Sequence, residues 1–367
     1  MKLENVVHSL ESCRFCLMCR HLDPVSHVTF NEALTPHGIA LVATSQKRGL
    51  IDWTIETTKV IYSDVDAGNA RAHCVTQKPF SEAVAALKAE LVQSHVAPTI
   101  VYDIQQKLLK HGSAFGQDTF EVAKTKGDIA LFVGDEAHYL WPQSLKAILK
   151  LLKALEINPV PIARGRSNGF LASSLGFPEL AKQQAESVLR ELESTKAKQL
   201  LTFSVGDTFT LTQLYPERLG VILPKSIKVL DGISLLSDAF VKGKIKFKPS
   251  KDKSVYAYVD PTHAVRVPNR FDAPRRLLES VLMREAKELF WRRERAHPVG
   301  STAVQFTNPD LAEKLTRARL EDARTVGANI IFCEDPATLY HLDQYAKEYG
   351  LELRGLYEFL ASQLVKG

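Results

Sequence analysis

The sequence predicts an α/β protein in which a helical, cysteine-bearing N-terminal module precedes two α/β repeats. Three observations lead there. From residue 128 onward, apolar strand-like runs alternate with amphipathic helical stretches, the pattern of parallel α/β layers. The strand–helix order of residues 128–240 returns over 251–361. Residues 1–110 have a different texture and hold four of the five cysteines.

The chain has 367 residues, 45% of them hydrophobic and 24% charged, enough for two or three domains with sizeable cores. Residues 1–12 lack a basic start and a long apolar stretch, so no signal peptide is expected. No apolar run reaches about 18 residues, so no transmembrane helix is expected. A cytoplasmic protein is the expectation, with peripheral membrane association left open. Three of five cysteines fall within seven residues, which argues against a disulfide framework and for a metal site in a reducing compartment. The net charge of +5 suits an acidic protein partner. It does not argue for nucleic acid, and neither a helix-turn-helix nor aromatic–basic interleaving is present.

Taken in order, LTPHG (34–38) is a turn, and FSEAVAALKAELVQSH (80–95) has helical apolar spacing after a Ser–Glu start. DIALFVGD is a buried parallel strand, SLKAILKLLKALEI a helix and PVPIA a short strand. Residues 178–196 are a long helix, and QLLTFSVGD is a third strand. In the second repeat, SVYAYVDP is a strand, and FDAPRRLLESV starts a helix with Pro274 in its first turn. PDLAEKLTRARLEDARTVG is a helix closed by Gly327, ANIIFCED a strand, and 338–348 a final helix. Between the repeats, VKGKIKFKPSKDKS carries six lysines within 242–253. It reads as a solvated hairpin or connector, or as a docking surface for an acidic partner.

The chemistry concentrates in SCRFCLMCRHLDPV. Cys13, Cys16 and Cys19 follow a C-x2-C-x2-C spacing, with Pro24 five residues further on. The run resembles the bacterial ferredoxin motif for a 4Fe–4S cluster, except that Asp23 stands where a fourth Cys would precede the Pro. In two-cluster ferredoxins the fourth Cys of each run ligates the other cluster. A second run is expected about fifty residues on, where YSDVDAGNARAHCVTQKPFSEAV lies. Counting back from Cys74 at ferredoxin spacing gives Ala70, Ala67 and Asp64. Cys13, Cys16, Cys19 and Cys74 then complete one four-thiolate 4Fe–4S site, and Asp23 is the vestige of a ligand to a lost second cluster. Two alternatives stay open: Asp23 as an oxygen fourth ligand, and zinc in place of the cluster.

The layout as a whole resembles the iron–sulfur subunits of glycolate oxidase, anaerobic glycerol-3-phosphate dehydrogenase and heterodisulfide reductase, in which a ferredoxin module precedes two Cys-Cys-Gly repeats. VDPTHAVRVPNRFDAPRRLLESV is similar to that family's Asp-Pro-Cys-His pattern and Pro-Arg helix start. Asp260, Pro261, His263, Pro274 and Arg275 are kept, but Thr262 takes the Cys position. AHPVG (296–300) and ARGRSNG (163–169) replace the two Cys-Cys-Gly motifs, and Asp135 and Asp207 stand near other cysteine positions. Only Cys333 survives in the repeats, so they are expected to hold no cluster.

Cys333 itself reads as a small core residue or a relic of the family's cysteine site. His263 reads as a hydrogen-bonding group at a strand end or as a site residue. Arg266, Arg270 and Arg275 read as an anion site or as a solvated face, and WRRERAH, with Trp291, as a charged helix face.

The resemblance implies a non-catalytic electron-transfer subunit of an oxidoreductase complex. It would carry single electrons from a flavoprotein dehydrogenase, which holds the FAD or FMN, to a quinone or another carrier. No G-x-G-x-x-G run suggests a flavin site on this chain. An iron–sulfur scaffold or redox-sensing subunit is the alternative.

Overall fold

The computed structural model describes residues 8–13, 16–118 and 127–365. The N-terminal part is helical: α1 (Pro24–Thr29), α2 (Pro36–Lys47), α3 (Ile55–Ile61), α4 (Asn69–His73), α5 (Phe80–Gln93) and α6 (Thr99–His111). Local chemistry sets the first three starts. Asp23, Thr35 and Thr54 each accept a hydrogen bond from a first-turn N–H, and Pro24 and Pro36 open their helices where no donor is needed.

The first α/β unit contains β1 (Ile129–Phe132), α7 (Pro142–Ala154), β2 (Val160–Ile162), α8 (Phe170–Leu175), α9 (Pro178–Thr195) and β3 (Gln199–Thr202). It continues with α10 (Val205–Phe209), which runs into a π-helical stretch over Thr210–Leu219, then β4 (Lys228–Asp231) and α11 (Gly232–Val241). Its four strands are parallel in the order β2-β1-β3-β4. The second unit contains β5 (Tyr256–Tyr258), α12 (Asp272–Leu282), α13 (Val304–Thr307), α14 (Pro309–Thr325), β6 (Ile330–Cys333), α15 (Pro336–Asp343), β7 (Glu352–Gly355) and α16 (Leu356–Gln363). Its three strands are parallel in the order β5-β6-β7.

The α/β class is therefore present, with two parallel sheets. Two strands were not legible. β4 (KVLD) and β7 (ELRG) are edge strands with largely half-exposed residues, so they lack the continuous apolar run that marks β1 and β6. The final helix expected over 338–348 is instead α15 followed by a 3₁₀ turn at Ala346–Tyr349.

One apolar core joins the two units. Leu131, Leu201 and Ile233 pack in the same cluster as Tyr258, Leu277, Phe332 and Leu360. Helix α16 lies against α7, and α11 against α12, so each unit covers a helix of the other. Full burial of one such Leu or Phe contributes roughly 1.5–3 kcal/mol. The lysine-rich connector alternates: Lys244, Lys246 and Lys248 are exposed, Ile245 is buried, and Phe247 stacks on Phe240 at 6.0 Å. All six of its lysines face solvent.

The three arginines are neither an anion site nor a solvated face. All are buried and already paired: Arg266 with Glu82 at 2.9 Å, Arg270 with Glu334 at 2.7 Å, and Arg275 with both Asp260 and Glu288. The WRRERAH segment is no extended helix either. It holds only a 3₁₀ turn at Arg293–Arg295, and Trp291 stacks on His297 at 3.8 Å.

Gly68 opens α4 with φ of 96°, and an added Cβ would land on the Arg266 side chain. Gly68→Ala is expected to cost on the order of 1–3 kcal/mol, read as a lower urea midpoint at unchanged m-value.

Candidate cluster site and central cavity

Cys13 follows a helical turn over residues 8–11, Cys19 lies in the 3₁₀ turn Met18–His21, and Cys74 forms the C-cap of α4. Helices α4 and α2 both pack against Met18–His21, which brings the later cysteine back to the first run. Cys13, Cys19 and Cys74 consequently line one cavity of about 390 Å³, its open mouth included. Leu10, Pro36, Ala40, Ala70 and Phe80 give it an apolar wall, with His37 and Lys78 as polar members. Cys16 is exposed on the same loop, ahead of Leu17 in a left-handed conformation, and does not line the cavity.

The thiols differ in character. Burial pushes the Cys19 thiol up to about 11, with Asp23, Cys13 and Cys16 adding to it. Partial burial works the same way on Cys74, but hydrogen bonds from Thr76 and the Lys78 backbone, and the Lys78 charge, hold that thiol below its usual value.

Among the described residues, no three His, Cys, Asp or Glu side chains stand close enough together to hold a single metal ion. A zinc ion needs its thiolates within about 2.3 Å of one point. An iron–sulfur cluster is several ångströms across and is held at its corners by thiolates standing further apart. Three thiols on an apolar-walled cavity match that group in donor type.

Asp23 does not line the cavity. Its Oδ2 accepts from the Ser26 N–H at 2.8 Å and the Ser26 hydroxyl at 3.0 Å, as the cap of α1. Burial lifts this carboxyl to about 7, and the charge of Asp64 adds to the effect. Positions 23 and 64, both assigned by ferredoxin spacing to a second cluster, are thus neighbours. The surroundings are filled by packing: Ala67 and Val25 share a cluster with Val304, Leu311 and Leu315 of the second unit.

Beside that packing lies a buried charge network. Arg218 forks onto Asp66 at 2.7 and 2.6 Å, and Arg266 bonds Glu82. Lys88, also buried, interacts with Asp64 and Asp66. Cys333 is fully buried among apolar neighbours of β6, a core residue.

A second cavity, of about 430 Å³ with its mouth, lies at the C-terminal ends of the strands. Asp135, Glu136, Asn168, Gly206, His263, Ser301, Thr302 and Gln305 are in its wall. Behind them, Asp207 accepts from Asn168 at 2.7 Å, Ser204 donates to Asp335 at 2.8 Å, and Thr262 pairs with Ser301 at 2.7 Å. Burial lifts the Asp135 carboxyl to about 6. It lifts those of Glu136 and Asp207 well above the usual range, with mutual repulsion adding. His263 stacks on Phe209 at 5.3 Å and meets Phe170 edge-on at 4.8 Å; burial lowers it to about 4, so it is neutral.

Sequence reasoning missed Glu136, Asp335 and Thr302 as members of one site. A signal was there: VGD follows β1, SVGD follows β3 and ED follows β6, an Asp just past each of three central strands.

The fold is similar to that of the crystal structure of a hypothetical protein from Helicobacter pylori. The TM-score is 0.62 at 10% identity, covering 100% of this chain and 77% of that one. At that identity the likeness extends to the fold alone. No protein-family model matches the chain, and no curated protein matches it. No helix among the described residues is long and apolar enough to cross a membrane.

Proposed function

We propose that this chain is an electron-transfer subunit holding one 4Fe–4S cluster on Cys13, Cys16, Cys19 and Cys74. The observation that carries the reading is the convergence of Cys13, Cys19 and Cys74, distant in sequence, on one apolar-walled cavity. A four-thiolate cluster supplies one-electron transfer and leaves two-electron chemistry to a partner. The residues of the chain fit that division. Leu10, Ala40, Ala70 and Phe80 give the cavity an apolar wall, and Lys78 sets positive charge beside Cys74. The partner in this reading is a flavoprotein dehydrogenase carrying FAD or FMN, and the acceptor a quinone or another carrier.

The exposure of Cys16 favours a second reading, a redox-sensing or scaffold subunit, because an exposed ligand is open to oxidants.

Anaerobic purification with iron, sulfide and zinc counts tests the site. Wild type is expected to hold about four irons per chain, Cys74→Ser close to none, and Asp23→Ala the wild-type number. Iron retained in Cys74→Ser but lost in Asp23→Ala would move the fourth ligand to Asp23. Zinc without sulfide would remove the cluster altogether. Co-purification with a flavoprotein that reduces the cluster separates electron transfer from sensing.

A further inference from the structure

The central cavity is independent of the cysteine site, and its chemistry is of another kind. It lies where two parallel sheets end, a place at which α/β folds bind small molecules. Among the described residues, its wall contains Asp135 and Glu136 but no lysine or arginine. Asp207 and Asp335 stand behind that wall. Arg266, whose charge reaches His263, is already engaged with Glu82 and Asp66. A cavity with this surplus of carboxyl groups attracts a cation or a rich hydrogen-bond donor.

Acidic residues alone would not define a site. The second observation is a set of buried polar atoms without partners. Nε2 of His263, Oγ1 of Thr210 and Oγ1 of Thr302 make no hydrogen bond, and all three residues line this cavity. His263 is 7% exposed, and each threonine 1%. Buried polar groups are nearly always paired, so three around one cavity mark the place of a missing polar partner. A single metal ion does not suit the arrangement, because no three ligating side chains among the described residues approach to ion spacing. Phe115, Phe170 and Leu171 add an apolar side, which suits a carbon skeleton and places aromatic rings near a cation.

We propose that the central cavity binds a small hydroxylated primary amine, its ammonium group held by Glu136 and Asp135 and its hydroxyl by Thr210, Thr302 and His263. The ammonium offers three donors to carboxyl groups that lack a cation and favours their ionised form, and the hydroxyl can both donate and accept among the unpartnered atoms.

The test uses the full chain and three probes of matched size: ethanolamine, uncharged ethylene glycol and anionic glycolate. Isothermal titration is expected to show saturable binding of ethanolamine and none of the other two. Glu136→Gln, isosteric and at the cavity wall, is expected to weaken it by at least about tenfold, as is Thr302→Val. The melting temperature of each unliganded variant checks that it folds. Glycolate or ethylene glycol binding as well as ethanolamine overturns the charge assignment. Ethanolamine binding unaffected by both substitutions overturns the location, and no binding at millimolar ethanolamine overturns the proposal. None of these outcomes depends on iron content, so the cluster reading stands or falls separately.

Discussion

Arg218→Met is expected to lower the unfolding free energy by about 3–5 kcal/mol, the usual cost of removing one partner from a buried ion pair. Arg218 is buried, and its two terminal nitrogens bond the two oxygens of Asp66. The network holds three carboxyl groups, Asp64, Asp66 and Glu82, against three cations, Lys88, Arg218 and Arg266. Removing one cation leaves a buried carboxylate without its main partner. Asp66 feels this most: burial opposes its ionisation, and Arg218 is the largest influence holding its carboxyl below the usual range. Arg218→Lys is expected to recover only part of the loss, since an ammonium cannot reproduce the two-pronged bond. The double variant Asp66→Leu, Arg218→Leu is expected to lie closer to wild type than Arg218→Met, because it leaves fewer unpaired charges. Urea titration measures all three. A loss below about 1 kcal/mol for Arg218→Met would mean that the network is wetter and weaker than its geometry indicates.

The same network reaches the cysteines. Arg266 packs over Gly68, Gly68 opens α4, and Cys74 ends α4. The position of Cys74 is therefore set from the far side by arginines of both α/β units. The cysteine-bearing helical segment is bound in this way into the body of the chain.

Much of this was legible from sequence. Residues 80–93 and 178–195 carry their apolar face at helical spacing, and β1 and β6 begin continuous apolar runs that end near Asp or Glu-Asp. The convergence of Cys74 on the first run was legible only through a spacing rule for cross-ligation, since no local pattern links positions 19 and 74. Edge strands β4 and β7 escaped because half-exposed strands need no apolar run. The arginines 266, 270 and 275 were misread for a related reason. Charge in a sequence suggests solvent, and only the tertiary fold sets Glu82, Glu334 and Asp260 opposite them. The central cavity was not legible as one site for the same cause: its members come from six separate segments that only the tertiary fold brings together.

Asp207→Asn is expected to stabilise the protein at neutral and alkaline pH and to change little near pH 4. The Asp207 carboxyl is lifted well above its ordinary value by burial, with the charges of Asp335 and Asp135 adding to it, while a hydrogen bond from Asn168 opposes that rise. In the unfolded chain it titrates near about 4. Between those two values the folded state holds a proton that the unfolded state has released. The free energy of unfolding therefore falls as pH rises through this window, and the contribution present below about pH 4 is lost. Asparagine carries no charge in either state, so the variant lacks that loss. Within that window the loss approaches about 1.4 kcal/mol for each pH unit, so the advantage of the variant grows as pH rises. Asp135→Asn is expected to behave in the same direction but to level off earlier, because its carboxyl is lifted only to about 6. Urea midpoints of wild type and both variants between about pH 4 and pH 8 measure the effect. Curves that run parallel across that range would show that neither carboxyl changes protonation on folding. Curves that diverge with rising pH would show that folding raises the proton affinity of these carboxyls.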